Sequence, residues 1–240
     1  MSIEKTICFD NFSKFINLFK EGNNNITVKT TGRGKTYRYA SFDYCYSYFY
    51  NFYKNDIIEE IASDENLEKS CLHISNYLAS WGMFRGSSYL LQKSIKFFEP
   101  LVRNIAKKEN KIFWEIDLSN YEKNICNLIR CKNLIKDNLY DKEFKIKPTN
   151  TLITKVMLGV FSNFPALDTN FCKIFKIRSV NEKNILKLYN IYDINKNEFS
   201  RPSKIKVYDF DNISNLNLVY NNVKLLDMYG FQKGLELSKK

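Results

Sequence analysis

The chain has 240 residues, of which 44% are hydrophobic and 15% aromatic, and this is enough apolar material to exclude disorder as its overall state. With only 8 Gly and 4 Pro, the composition argues against a sandwich or barrel of many short strands and favours helices. The excess of 37 Lys and Arg over 26 Asp and Glu gives a net charge of +11. This charge favours a polyanionic partner, either nucleic acid or an anionic membrane surface, over a lysine-rich surface that is merely solvated.

The first two predicted helices are aromatic segments with helical spacing. The segment 7–22 carries phenylalanines on one face and predicts a helix that ends at Gly22. The segment 42–53 carries a second apolar stripe within a run of tyrosines and predicts a helix that is buried on most sides. Between them, the polar and basic stretch 23–41 predicts an exposed loop.

The middle of the chain predicts further helices with one interruption. Residues 66–99 form one long or broken helical pattern, in which Gly82 and Gly86 each weaken the helix by about 1 kcal/mol relative to alanine. Another helix is predicted after Pro100 and a further one over 119–139, followed by a polar connection.

The last third predicts helices at 151–161, 169–177, 181–192 and about 214–229, with a basic loop or extended stretch before the last of them. We therefore predict a mainly α fold with few or short strands. The whole chain, 1–240, is expected to form a single compact domain of two helical lobes.

Cysteine and histidine usage limits the chemistry. Six cysteines are scattered without a CxxC pair, and His73 is the only histidine, so we expect reduced thiols, no metal site and no cofactor. A catalytic triad would have to use His73, which lies in an apolar helical pattern without an acid one turn away. Because neither a signal peptide nor a long apolar run is found, we expect a cytoplasmic protein without a membrane segment.

The segment 149–176 places a short apolar helix, a proline-containing turn, an acid and a second helix in succession. TLITKVMLGVF leads through SNFPAL to Asp168, which opens TNFCKIFK. This order resembles the second half of the helix-hairpin-helix DNA glycosylase signature. The resemblance implies that the hairpin binds the DNA backbone and that Asp168 lies next to the sugar of an extruded nucleotide. The alternative for Asp168 is a helix N-cap without a catalytic role.

The segment departs from that family at two places. KPTNT stands where the family has a glycine-containing turn, so we expect the helix start at Asn150 and Thr151 to supply the phosphate-binding amides, with Thr169 as a further DNA contact. Bifunctional members also carry a lysine nucleophile. The only candidate here is Lys155, about one turn closer to the acid than the family pattern, so the sequence favours a monofunctional enzyme that uses water.

A glycine-bearing stretch, SWGMFRGSS, supplies the side chains expected for a flipped base. Aromatic rings there can stack on the base and polar groups can form hydrogen bonds with it. The predicted base pocket consists of Trp81, Phe84, Arg85, Ser87, Ser88 and Tyr89. The alternative is that Trp81 belongs to the core, Arg85 is a surface charge and the two glycines mark helix crossings.

The stretch TTGRGKT ends like a phosphate-binding P-loop but lacks the first glycine of that motif, because position 29 is lysine. We therefore interpret the loop either as a contact for the DNA backbone or as a solvated loop. Its candidate DNA-binding residues are Lys29, Arg33, Lys35 and Arg38. Glu115 and Asp117 lack a further carboxylate and lysine at nuclease spacing and are interpreted as an ordinary charged face.

Together these patterns predict a DNA glycosylase that flips a damaged or modified base out of double-stranded DNA and hydrolyses its N-glycosidic bond. Asp168 is the key acid, no obligate protein partner is expected, and defence against modified phage DNA is a candidate role. Two alternatives remain open. One is a non-catalytic helical module that binds DNA or RNA, and the other is a protein-interaction domain that uses the aromatic helix 42–53.

Overall fold

The computed structural model describes residues 7, 9–22, 32–202, 204–210 and 217–238. The mainly α prediction is confirmed, and over these residues β-structure is limited to two isolated bridges, Asp141 with Ile146 and Lys206 with Val219. The α-helices are α1 Phe12–Glu21, α2 Ser41–Lys54, α3 Leu67–Ser80, α4 Glu99–Ile105, α5 Ile125–Asn138, α6 Asn150–Val156, α7 Thr169–Phe175, α8 Glu182–Ser200 and α9 Asn222–Leu237. Short 3₁₀ helices span Arg38–Ala40, Ile58–Ala62, Tyr89–Gln92, Ile95–Phe98, Lys108–Glu115 and Leu118–Asn124, and Met157–Phe161 is π-helical.

The two aromatic helices form as their patterns predict. In α2, the predicted stripe of Phe42, Cys45, Phe49 and Phe52 is buried, together with Tyr46. The helix α1 buries its phenylalanine face and ends at Gly22, whose φ of 83° is a left-handed conformation that glycine adopts without strain.

Packing of α1 against α9 joins the two ends of the described chain. The Phe12 and Phe15 rings lie 5.2 and 5.4 Å from the Tyr229 ring. Nearby, the Asn195 side chain of α8 accepts a hydrogen bond from Phe9 N at 2.9 Å and donates one to Ile7 O at 2.9 Å. The first and last parts of the chain therefore belong to the same core.

The long pattern at 66–99 is broken. The helix α3 ends at Ser80, and the chain continues through a turn and two 3₁₀ helices before α4 begins. Gly82 and Gly86 have φ values of 73° and 60°, so they serve left-handed turns. The three atoms nearest to a Cβ at Gly82 would all belong to Arg85 of the same loop, and a Cβ at Gly86 would meet nothing within 4 Å.

The helices of the last third differ from prediction in their bounds. The helix α8 continues beyond the predicted end to Ser200, because Asn195 and Phe199 extend its buried face. The helix α9 begins at Asn222 and continues to Leu237, and it is buried on nearly all sides. The predicted start near residue 214 lies outside the described residues.

The buried apolar side chains form one contiguous cluster that includes residues from every α-helix. The division into two lobes stays a prediction. Among the described helices, none combines the length and the apolar character needed to pass through a lipid bilayer.

Candidate functional site

Asp168 caps the N-terminus of α7. Its Oδ1 accepts a hydrogen bond from Phe171 N at 2.8 Å, and its own backbone is extended, as an N-cap requires. A cap alone would be expected at the surface, but the Asp168 carboxyl lines a small internal cavity and is only partly accessible. The capping role and a location beside a cavity therefore occur together.

The cavity beside Asp168 is bordered by aromatic rings and by three further charged groups, two lysines and one aspartate. Its volume is about 10 Å³, which is about the space that one water molecule needs. It is lined by Tyr77, Trp81, Lys155, Leu158, Ala166, Asp168, Lys224, Asp227 and Phe231. These residues come from α3, α6 and α9, the adjoining π-helix, the N-cap of α7 and nearby loops, so the site exists only in the folded chain.

Burial changes the acid–base properties of the two catalytic candidates. Burial raises the pKa of Asp168; the Phe171 N–H opposes this rise, and the Asp227 charge adds to it. Burial also lowers the pKa of Lys155 to about 8, although the charges of Asp168 and Asp227 partly oppose that shift. A carboxylate made more basic and an amine made less basic thus border the same cavity.

The loop 162–167, which leads to Asp168, is buried throughout. A buried loop must have partners for its backbone polar groups, and here side chains from α6 and α9 supply them. Ala166 N donates to Asp227 Oδ1 at 3.1 Å, Leu167 N donates to Thr154 Oγ1 at 2.9 Å, and Thr151 Oγ1 donates to Leu167 O at 2.8 Å. These hydrogen bonds fix the position of Asp168 and of the N-terminus of α7.

Asp227 and Lys224 are functional candidates that the sequence analysis missed. They form a buried ion pair on α9, in which Lys224 Nζ lies 2.9 Å from Asp227 Oδ2. Acids and lysines three residues apart are common on exposed helix faces, so their spacing alone does not signal a buried site. Only the burial of α9 on nearly all sides places them beside Asp168.

Two glycines of α9 allow it to pack closely against α7. A Cβ at Gly230 would lie 2.6 Å from the Phe171 ring, and one at Gly234 would lie 2.4 Å from Asn170 O. Asn170 is in the first turn of α7, next to the cap. The close contact between these helices therefore contributes to the placement of Asp168.

We expect Gly234→Ala to lower the free energy of unfolding by about 1–3 kcal/mol, because the new methyl group cannot fit against the α7 backbone without moving it. Chemical denaturation of the variant and the wild type measures this difference. Lys183→Ala, at an exposed position of α8, is the control and should change stability by less than about 0.5 kcal/mol. Equal stability of Gly234→Ala and the wild type would contradict the close packing.

The predicted base-pocket residues fall into two groups. Trp81 lies at the cavity, where its backbone oxygen accepts a hydrogen bond from Lys155 Nζ at 2.5 Å and its ring stacks on Tyr39 with centroids 5.3 Å apart. Its buried Nε1 has no hydrogen-bond acceptor among the described residues. The others extend from this point towards the surface: Phe84, Ser88 and Tyr89 are partly buried, and Arg85 and Ser87 are exposed.

The predicted DNA-binding residues are not equally accessible. Lys35, Arg38, Asn150 and Thr169 are exposed, and Thr151 is partly exposed. The side chain of Asn150 donates to Arg178 O at 2.9 Å, so this helix start is tied to the segment after α7. Lys29 lies outside the described residues.

The assignment of Arg33 to the DNA backbone is wrong. Its side chain is buried, and it forms a paired contact with Asp43, with Nε 2.8 Å from Oδ2 and Nη2 2.9 Å from Oδ1. It also donates to Lys206 O and lies over the Tyr208 ring, 3.8 Å from the centroid. A run of basic residues in a loop gave no indication that one of them has a buried acid as its partner.

The signals that the sequence analysis set aside have structural roles. Burial lowers the pKa of His73 to about 4, and its ring stacks on Tyr48. Asp117 accepts hydrogen bonds from Val223 N at 3.0 Å and Asn222 Nδ2 at 2.6 Å at the start of α9. No group of three or more histidine, cysteine or acidic side chains is arranged to hold a metal ion within the described residues.

Comparisons with protein-family models, with curated proteins and with solved structures give no significant match to this chain. Its function must therefore be argued from the geometry of the site.

Proposed function

We propose that the protein is a DNA glycosylase in which Asp168 supports hydrolysis of an N-glycosidic bond. The observation that carries the proposal is the position of this carboxylate. It caps α7, but it lies withdrawn from solvent beside an aromatic cavity and not at the surface. The net charge of +11 supports a polyanionic substrate.

The chemistry requires one well-placed carboxylate. Departure of the base leaves a sugar with oxocarbenium character, and an ionised Asp168 stabilises that positive charge in a site from which water is largely excluded. Because burial raises its pKa, Asp168 is also a stronger base towards the attacking water than an exposed aspartate. The hydrogen bonds that hold loop 162–167 keep the carboxylate in place during the reaction.

The described cavity has space for a water molecule and not for a nucleobase, so binding of an extruded base requires movement of a neighbouring segment. The turn after α3 is suited to this, because Gly82 and Gly86 permit backbone conformations that other residues rarely adopt. The unpaired Nε1 of Trp81 is a donor for an oxygen or nitrogen of the base. Phe84 and Tyr89 would stack on it, and Arg85, Ser87 and Ser88 would contact its polar edge.

In this proposal the substrate is double-stranded DNA with a damaged or modified base, and a modified base of phage DNA is included among the candidates. Lys35, Arg38, Asn150, Thr151 and Thr169 would contact the backbone. No cofactor takes part. The test is incubation of the protein with normal, damaged and phage-modified DNA duplexes, followed by measurement of abasic sites.

The same test separates the proposal from its alternatives. A non-catalytic DNA- or RNA-binding module would bind without forming abasic sites, and a protein-interaction domain would show little salt-sensitive affinity for nucleic acid. The interaction alternative relied on the aromatic helix, but most of α2 is buried, which leaves little of its apolar surface for a partner.

Lys155 favours a second chemical route for release of the base. With a pKa of about 8, roughly one tenth of its amine is uncharged at pH 7, and the uncharged amine can attack the sugar C1′ in place of water. The base would leave, the sugar ring would open, and the amine would form an imine that permits strand cleavage.

We expect borohydride to distinguish these routes, because it reduces an imine to a stable amine and so links protein to DNA covalently. If Lys155 is the nucleophile, the linked product should increase as the pH rises towards 8 and level off above it, following deprotonation of the amine. Lys155→Met should abolish the link, and Lys183→Met, at an exposed position of α8, is the lysine control. Formation of abasic sites without any linked product would establish the water route.

A further inference from the structure

A tight turn at residues 141–146 presents a phenylalanine to solvent. Asp141 N donates to Ile146 O at 3.0 Å and Ile146 N donates to Asp141 O at 3.1 Å, so the two ends of the turn are closed by a pair of backbone hydrogen bonds. Inside the turn, Asp141 Oδ1 accepts from Glu143 N at 3.1 Å and from Phe144 N at 3.3 Å. Lys145 completes the reversal with a φ of 54°.

A buried ion pair also holds this turn in place. Lys93 Nζ lies 2.7 Å from Asp141 Oδ2, with side-chain exposures of 16% and 3%. The backbone of the turn is thus held by its own hydrogen bonds and by a charge from another segment. The aromatic residue at its tip therefore lies on a turn whose backbone these contacts hold in one conformation.

Phe144 is 63% exposed, although the chain has a large core in which a ring of this size could be buried. The lysines at 142, 145 and 147 are exposed around it, and Glu143 is the single acid among residues 142–147. The ring and the cations together require an anionic partner, and among such partners the proposed function supplies DNA. A nucleic acid offers bases for the ring and phosphates for the lysines.

The turn is connected to the candidate functional site on two sides. The predicted base-pocket residue Tyr89 donates from its hydroxyl to Leu139 O at 2.8 Å, and Lys93 follows in the same segment. On the other side, the chain leads directly into α6, where Thr151 binds the loop that ends at Asp168. The turn and the cavity therefore share their supporting segments.

We propose that Phe144 stacks on or inserts between the bases of bound DNA, while Lys142, Lys145 and Lys147 contact its phosphates. An aromatic ring inserted at a base step displaces stacking there and favours extrusion of a neighbouring nucleotide. The inference rests on the proposed function in taking DNA as the ligand, but it concerns binding and not the chemical step. It assigns an interaction surface to a part of the chain for which the sequence indicated only a polar connection.

The test measures the binding of two duplexes, one undamaged and one that carries a tetrahydrofuran abasic-site analogue, by fluorescence anisotropy. Phe144→Ala should weaken binding of the analogue duplex by about 5-fold or more, since stacking of one base on an aromatic ring has at least that effect. Ile194→Ala, which removes another exposed apolar side chain, is the matched control and should leave the Kd unchanged. Equal Kd values for Phe144→Ala and the wild type would overturn the inference.

Charge variants test the contacts between the lysines and the phosphates, and a fluorescent variant tests the contact between the ring and the bases. Replacement of Lys142, Lys145 and Lys147 by glutamine should reduce the slope of log Kd against log salt by up to about 3, and Glu143→Gln should tighten binding. The indole of Phe144→Trp should be quenched by DNA beyond any change seen with the wild-type tryptophans. An unchanged salt slope, or an absence of additional quenching, would count against the contact.

These outcomes are separable from those of the glycosylase test. If no abasic sites are formed but Phe144→Ala still weakens binding, the glycosylase proposal fails and this inference stands. If abasic sites are formed and Phe144→Ala changes neither the Kd nor the rate, the glycosylase proposal stands and this inference fails. An absence of DNA binding by the wild type would overturn both.

Discussion

Asp168→Asn is expected to lower the rate of abasic-site formation by about 10²- to 10⁴-fold while DNA binding is retained. The amide has the shape of the carboxylate but cannot stabilise a cationic sugar by charge or take a proton from water. Asparagine is as good an N-cap as aspartate, so the hydrogen bond to Phe171 N at the start of α7 should persist. The measurement is single-turnover release of the base, with the Kd determined in parallel.

Asp168→Asn is not expected to lower the stability of the fold. Burial raises the pKa of Asp168, so the folded state binds a proton more readily than the unfolded state, and the ionised carboxylate at pH 7 is destabilising relative to its protonated form. A neutral amide removes this cost, and the free energy of unfolding at pH 7 should therefore not decrease.

Two control variants separate chemistry from capping. Asp168→Ala removes both functions and should lose activity and about 1 kcal/mol of stability. Asn181→Ala removes the cap of α8, whose side chain accepts from Asn184 N at 2.9 Å, and should lose a similar stability with no loss of activity. Normal activity of Asp168→Asn would eliminate the proposed role of the carboxylate.

Arg33→Met is expected to destabilise the fold by about 3–5 kcal/mol, the largest effect on stability that we predict. The change leaves Asp43, which is fully buried, without its cationic partner and also removes the guanidinium contact to Lys206 O. Thermal or chemical unfolding measures the loss. DNA affinity, corrected for the unfolded fraction, should be unchanged, because the side chain does not reach the surface.

A double variant tests whether the loss comes from the unpaired acid. Arg33→Met combined with Asp43→Leu replaces the ion pair by apolar groups of similar size and should recover most of the stability. If the single variant is as stable as the wild type, or if the double variant is no better than the single one, the interpretation of this pair as a buried structural contact is wrong.

The sequence predicted those features that depend on local pattern. The stripes in α1 and α2, the helices around Asp168 and its cap all follow from residue spacing and from capping chemistry, which act over a few residues. The bounds of α8 and α9 were less accurate, because packing of Phe199 and the near-complete burial of α9 extend these helices beyond their periodic segments.

The features that depend on contacts between distant residues were not predictable in this way. Arg33 is one of several cations in a basic loop, and only the fold shows that it pairs with Asp43. Asp227 and Lys224 resemble an ordinary surface pair until α9 is placed at the centre of the molecule. The same applies to Gly234, whose importance depends on the backbone of Asn170, more than sixty residues earlier in the chain.

The location of Asp227 on α9 has a consequence for the order in which the protein acquires its site. During synthesis, α6, α7 and the loop between them emerge before residues 222–237 exist, and Ala166 N then lacks the carboxylate to which it donates. The surroundings of Asp168 can therefore be completed only when the last described helix has left the ribosome. A nascent chain that ends before α9 should hold this aspartate in water, with an ordinary acidity and no catalytic competence.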